Sequence, residues 1–213
     1  PNHGRSPWTD TVSYPQMSDA VARTIHDLAD GQPVHLLGHS MGGKVAMRTV
    51  LDHPDLIRTL TVVDISPAPT ESFTEFETYI AGMEAMDLEA IESRADADEA
   101  MRDAAPDPGV RGFLLQNLGT GQGRFAWQPN LAVLLRAMDA ITGFPDGLAA
   151  GRTYDGPSFC LRGERSDYVG PEGEAALRRC LPRVEVLTVP GAGHWPHAEK
   201  PAAFQRLLEP CLG

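Results

Sequence analysis

Cysteine is scarce in this chain: three in 213 residues, at positions 160, 180 and 211, odd in number and without metal-type spacing. That fits a reducing compartment better than a disulfide framework, with the thiols expected as small buried apolar groups. Positive charge is short as well. Eighteen Lys and Arg stand against 29 Asp and Glu, a formal net charge of -11 that works against phosphate backbones and anionic membrane surfaces. Nucleic acid is therefore set aside as a partner. Long apolar runs are missing, the longest being segments such as 34–37 and 60–63, far below the roughly 20 residues of a membrane span. The opening Pro1-Asn2-His3-Gly4-Arg5-Ser6-Pro7 does not read as a secretory leader but as a loop already in progress. A cytoplasmic location is the expectation these absences leave.

What is present is enough for a packed core. Hydrophobic residues make up 42% and charged residues 22%, at a length of one domain or a little more. Tyr14-Pro15 starts a helical stripe of Met17, Val21, Ile25 and Leu28, with Gly31 at its stop. Val34-His35-Leu36-Leu37 predicts a strand buried on both faces, followed by a helix from Met41 to about His53 and a second buried strand over 60–65. Strand, helix, strand in this rhythm implies a parallel sheet with right-handed crossovers.

From Thr70 to about Gly151 the rhythm changes to acidic, helix-favouring stretches and a glycine-rich patch at 119, 121 and 123. Leu131, Leu134, Leu135, Met138 and Ile141 form one amphipathic stripe, and only 125–127 hints at a strand. This segment is expected to be an all-helical insertion. The sheet pattern resumes with strands over 157–162 and 184–189, a helix over 171–181, and a last helix carrying Phe204, Leu207, Leu208 and Cys211. The expected organisation is an α/β core over 1–69, a helical cap over 70–151, and the second part of the core over 152–213.

The chemistry-bearing motif is Gly38-His39-Ser40-Met41-Gly42, a G-x-S-x-G placed between a buried strand and a helix. Small residues two before and two after the serine allow a sharp, strained turn that lifts its hydroxyl above the sheet. The Met41 backbone N–H is then left to stabilise an oxyanion. Gly38, Gly43 and Lys44 also nearly spell a phosphate-binding loop, but position 45 is Val where a magnesium-ligating Ser or Thr is needed. A serine needs a neighbouring base. His194 is the candidate, in a glycine-rich loop directly after the last predicted strand, and loops at the carboxyl ends of parallel strands converge. Serine early and histidine late is also the order this chemistry shows on α/β sheets. Asp64, at the carboxyl end of the second strand, and Asp167, in the loop after the penultimate strand, are alternative acids to orient the imidazole. His39, Trp127 and Trp195 are candidate substrate contacts; of the insertion's Phe73, Phe76, Met83, Met86, Phe113, Leu114, Phe125 and Trp127, most are expected as core and a minority as lining of the acyl pocket.

Taken together, residues 2–7, Leu37-Gly38-His39-Ser40-Met41-Gly42-Gly43-Lys44, Val63-Asp64-Ile65-Ser66-Pro67 and Gly193-His194-Trp195 resemble the YbfF-type esterases of the α/β-hydrolase superfamily. The resemblance implies a mostly parallel sheet with a helical cap. It implies hydrolysis of carboxylic esters or thioesters through an acyl-serine, without cofactor; the expected substrates carry small to medium acyl groups, and no metal site is expected. It favours Asp64 as the acid, because such enzymes have serine where Ser166 stands and draw the acid from the earlier loop. It also implies strands and a His-Gly loop, the source of a second oxyanion donor, ahead of the Asn-His-Gly segment. None of these is in the chain, which predicts an upstream piece or a partner that completes the sheet edge. Two alternatives stay in view: a carbon–carbon bond hydrolase or lyase using the same triad, and a non-catalytic ligand receptor on the same fold. Oligomeric state has no signature in the sequence.

Overall fold

The computed structural model describes residues 1–68, 74–121, 123–143 and 151–212. Helix α1 (Tyr14–Ala29) is capped by the Ser13 hydroxyl, which accepts from the Gln16 N–H, and it ends on Asp30 and Gly31 at left-handed φ of 49° and 70°. Its buried face runs through Tyr14, Met17, Ser18, Ala22 and Ile25, whereas Leu28, placed on the stripe by spacing, is 84% exposed. Strand β1 (Val34–His39), helix α2 (Met41–Asp52) and strand β2 (Ile57–Val63) follow in the predicted order. The second strand starts earlier than its apolar run, because a short 3-10 turn over Pro54–Leu56 delivers the chain to it.

Further along come α3 (Thr74–Ala85), α4 (Arg94–Ala100), α5 (Pro108–Leu115), β3 (Leu118–Gly121), β4 (Arg124–Trp127), α6 (Leu131–Arg136) and α7 (Met138–Thr142). The chain then gives β5 (Ser158–Gly163), α8 (Pro171–Cys180), β6 (Val184–Val189), α9 (Pro196–Glu199) and α10 (Pro201–Leu208). Among the described residues no helix is long and apolar enough to cross a membrane.

Two compact units emerge: Pro1–Val12 with Glu71–Ala140, and Ser13–Thr70 with Ile141–Gly213. This division differs from boundaries at 69/70 and 151/152. The opening loop groups with 71–140 because the Asn130 N–H donates to Asn2 O at 2.9 Å, its side-chain amide donates to Asn2 Oδ1 at 3.1 Å, and the Trp8 indole donates to Gln128 O at 3.3 Å. The first unit is not all-helical: β3 and β4 pair antiparallel, Leu118 opposite Trp127. Its core is Met83, Ala97, Met101, Ala105, Leu115, Leu118 and Leu131, with Met86, Leu114, Phe125 and Trp127 packed against it. Of the set expected to be mostly core, Phe76 and Phe113 are exposed, and Phe73 lies outside the described residues.

The second unit holds a four-stranded sheet of order β1-β2-β5-β6, every neighbouring pair parallel. β2 is buried nearly throughout. β1, which pairs only with β2 among the described strands, is not buried on both faces as its run of apolar residues predicts; Leu37 is 44% exposed. The register brings the carboxyl ends level, with His39 beside Val63, Val63 beside Leu161, and Gly163 beside Val189. The residues after each strand, Ser40, Asp64, the 164–170 loop and the 190–195 loop, therefore emerge along one edge of the sheet. The three cysteines are buried, and burial pushes their thiols up, Cys160 to about 12 and Cys180 and Cys211 to about 11.

Candidate active site

The turn between β1 and α2 is built by crowding. Ser40 sits at φ 53° and ψ −125°, a conformation rarely adopted by residues with a side chain, and its N–H donates to Val63 O at 3.0 Å. A Cβ on Gly38 would stand 2.1 Å from Gly42 O, and one on Gly43 would stand 2.5 Å from Ile65 Cγ2. A Cβ on Gly42 would meet nothing within 4 Å. The requirement for small residues thus falls on positions 38 and 43, not on the second glycine of the motif. Gly38→Ala should cost about 3 kcal/mol in urea unfolding, as overpacking against backbone. Gly42→Ala should stay within about 0.5 kcal/mol or gain from better helix propensity.

Ser40 Oγ lies 3.0 Å from His194 Nε2, and His194 Nδ1 lies 2.8 Å from Asp64 Oδ2. A carboxylate only accepts, so the Nδ1–H donates to Asp64 and Nε2 is left to accept the serine hydroxyl proton. Asp64 is fully buried, on a left-handed φ of 51°. Its charge is met by three donors: His194, the Gly163 N–H at 2.8 Å, and the Ser166 hydroxyl. Asp167, the alternative acid, is exposed, and its carboxylate has no partner among the described residues. The structure thus brings Asp64, and not Asp167, to the imidazole. Met41 opens α2, and its N–H has no acceptor among the described residues, as the first N–H groups of a helix have none within it.

The loop that carries His194 is held from several sides. His39 Nε2 lies 2.7 Å from His194 O; a carbonyl only accepts, so this nitrogen carries the proton and is not left for a substrate. Burial lowers the His39 pKa below the usual histidine range, opposed by this hydrogen bond and reinforced by His194 and His197. The His39 ring is 4.9 Å from that of His194 and 4.8 Å from that of His197. Glu199 accepts from the Gly193 N–H at 2.9 Å and the Trp195 N–H at 3.2 Å, one on each side of the histidine, and pairs with Arg165 at 3.2 Å. Those backbone donors, the Gly193 bond first, hold the Glu199 carboxyl below its usual range. Tyr168 stacks on the imidazole at 4.0 Å and 23°. A Cβ on Gly163 would stand 2.1 Å from Gly193 O, so this glycine is what lets β5 and the histidine loop close on each other.

Trp195 is 38% exposed, and its ring is 5.6 Å from the His194 ring. Trp127 belongs to the first unit, where it packs against the Met83–Leu118 core and its indole N–H is buried without a protein partner among the described residues. The Lys44 ammonium is buried and donates to Thr142 O at 2.6 Å and Gly143 O at 3.1 Å, with burial pushing it down to about 8; it is committed to the backbone rather than to a phosphate. Among the described residues no group of three or more His, Cys, Asp or Glu is arranged to hold a metal. Sequence reasoning missed Tyr168, Glu199 and the donor role of Ser166. Only Ser166 carried a signal, a hydroxyl at the loop position where many related sheets place their acid.

The model of the alpha/beta hydrolase family matches residues 1–207. The chain is 39% identical over 207 residues to the sn-1-specific diacylglycerol lipase ABHD11 of Mus musculus, covering 95% of this chain and 66% of that protein. It is 32% identical over 210 residues to the esterase YbfF of Escherichia coli (strain K12), covering 97% of this chain and 78% of that one. A solved structure described as a marine microorganism esterase superposes with a TM-score of 0.89 at 30% identity, over 98% of this chain and 81% of that chain. The chain spans just under two thirds of the lipase relatives, 66% of the mouse protein and 64% of that of Danio rerio. With its parallel sheet and its serine turn between β1 and α2, the chain belongs to the alpha/beta hydrolase family.

Proposed function

We propose that the protein is a serine hydrolase that cleaves carboxylic esters or thioesters of small to medium acyl groups through an acyl-serine intermediate. The observation that carries this reading is the continuous chain of hydrogen bonds from Ser40 Oγ to His194 at 3.0 Å and from His194 to buried Asp64 at 2.8 Å. Ser40 Oγ attacks the acyl carbon while its proton passes to His194 Nε2, and Asp64 stabilises the imidazolium that forms. The Met41 N–H, at the positive end of α2, donates to the oxyanion. His194 returns the proton to the leaving alcohol or thiol. A water, deprotonated by the same nitrogen, then releases the acid and restores Ser40. The names of the relatives, a diacylglycerol lipase and two esterases, support an ester as the scissile group.

Incubation of the full-length protein with a fluorophosphonate probe should label one serine, Ser40, as read by mass spectrometry of the tryptic peptides. Absence of that label sinks the proposal. A panel of acyl esters and thioesters run beside a β-diketone separates ester cleavage from carbon–carbon cleavage by the same residues.

A further inference from the structure

We infer that Tyr168 is a positioning residue for the base: its ring, stacked on His194, fixes the tilt of the imidazole and stabilises the cation it becomes during acyl transfer. The inference rests on the serine hydrolase reading. Its geometry is separate from the hydrogen-bonded chain, since both imidazole nitrogens are engaged at their edges, by Asp64 and Ser40, and edge contacts leave the ring free to roll about the line joining them. The Tyr168 ring, at 4.0 Å and 23°, covers a face and removes that freedom.

Tyr168 is itself held firmly. Its N–H donates to Ser166 Oγ at 3.4 Å, and the next residue, Val169, is 1% exposed and accepts from Arg162 Nη1 at 2.9 Å. Arg162 is fixed in turn by Thr188 Oγ1 at 3.1 Å, across from β5 to β6. The stack is thus anchored by the two strands whose following loops contribute Tyr168 and His194.

The chemistry favours the charged ring. An aromatic face is electron-rich and attracts a cation more than a neutral ring. The interaction therefore strengthens as Nε2 takes the serine proton, and such a gain acts on kcat rather than on KM. Among the described residues, the other groups around His194 are Asp64 and Ser166 beyond Nδ1, Ser40 at Nε2, and His39 and Trp195 at ring distances of 4.9 and 5.6 Å. His197 reaches it through His39, and Glu199 and Arg165 act at the loop backbone. Of these, Asp64 accepts from Nδ1 and Tyr168 stacks on a face at 4.0 Å, both favouring a positive imidazole, while Trp195 stands farther off at 5.6 Å and tilted by 59°.

The test uses the full-length protein and p-nitrophenyl butyrate. Tyr168→Phe keeps the ring and should stay within about twofold of the parent. Tyr168→Leu should lower kcat about fivefold to thirtyfold with KM unchanged, and move the acid limb of the kcat/KM profile to lower pH by about 0.5 to 1 unit, the range of a partly desolvated cation–π contact. Pentafluorophenylalanine at position 168 keeps the shape but reverses the charge of the face, so it should behave like Leu; it also serves if the Leu variant does not fold. Parent-like kcat and acid limb in the fluorinated protein overturn the inference, as does a loss confined to KM or an equal loss in Tyr168→Phe. Retained fluorophosphonate labelling of Ser40 in those cases leaves the hydrolase reading standing, whereas an unlabelled parent removes both.

Discussion

Ser40→Ala should lower kcat on any ester the protein hydrolyses by at least about 10⁴-fold, and His194→Ala by as much. The double variant should be hardly worse than either single one, because the two groups act in one step: without the hydroxyl the base has no proton to take, and without the base the hydroxyl is a poor nucleophile. What remains should come from the Met41 N–H and from ground-state binding. Ala at position 40 inherits the same φ of 53° that Ser tolerates, so the fold is expected to persist and the melting temperature to stay close to the parent's. Steady-state turnover of p-nitrophenyl esters, corrected by active-site titration for traces of parent enzyme, measures the loss. A decrease of less than tenfold would falsify the nucleophile assignment. Retained ligand binding together with no turnover in the parent itself would instead favour a receptor on this fold.

How far the sequence foretold this site depends on the range over which each feature is determined. The serine turn is local: a strand, a helix and glycines at fixed offsets around Ser40 are all within a few residues, and they were legible. His194 was legible through position, since a glycine-rich loop after the last strand must emerge at the same sheet edge. The acid was not. Asp64 and Asp167 both follow strands, and what separates them is pairing across about a hundred residues, Gly163 and Ser166 donating to Asp64 from the next strand's loop. The hairpin of β3 and β4 escaped for another reason. Its strands have four residues each, two of them glycines in β3, too short and too bare to show a period of two. Likewise the stripe from Leu131 to Ile141 divides into α6 and α7 at Ala137, whose N–H bonds to Val133 and Leu134 carbonyls, with no Pro or Gly there to announce the break. The second glycine of the motif shows the converse. It fits the pattern, yet its Cβ position is open space.

Asp64→Asn should lower kcat about 10³- to 10⁴-fold, while Asp167→Asn should change it less than about twofold and leave stability within about 0.5 kcal/mol. Buried Asp64 accepts three hydrogen bonds, from His194, Ser166 and the Gly163 N–H. An asparagine there offers one acceptor oxygen and one NH₂ group, so at least one donor is left facing a donor. If the oxygen stays toward Gly163, the NH₂ faces His194 Nδ1, and the ring relaxes to the tautomer that places its proton on Nε2, where it cannot take one from Ser40. Rotating the amide instead restores the imidazole bond but strands the Gly163 N–H on β5. Exposed Asp167 has no such donors to disappoint. A second variant sharpens the point: adding Ser166→Asp to Asp64→Asn returns a carboxylate next to the same imidazole from the neighbouring loop, and it should recover at least tenfold of the lost rate. Steady-state kinetics on one ester, with circular dichroism to confirm folding, measures all three. Should Asp167→Asn take the large loss while Asp64→Asn stays active, the acid would have to come from the 164–170 loop, and the contact between His194 and Asp64 would be no more than a structural tie.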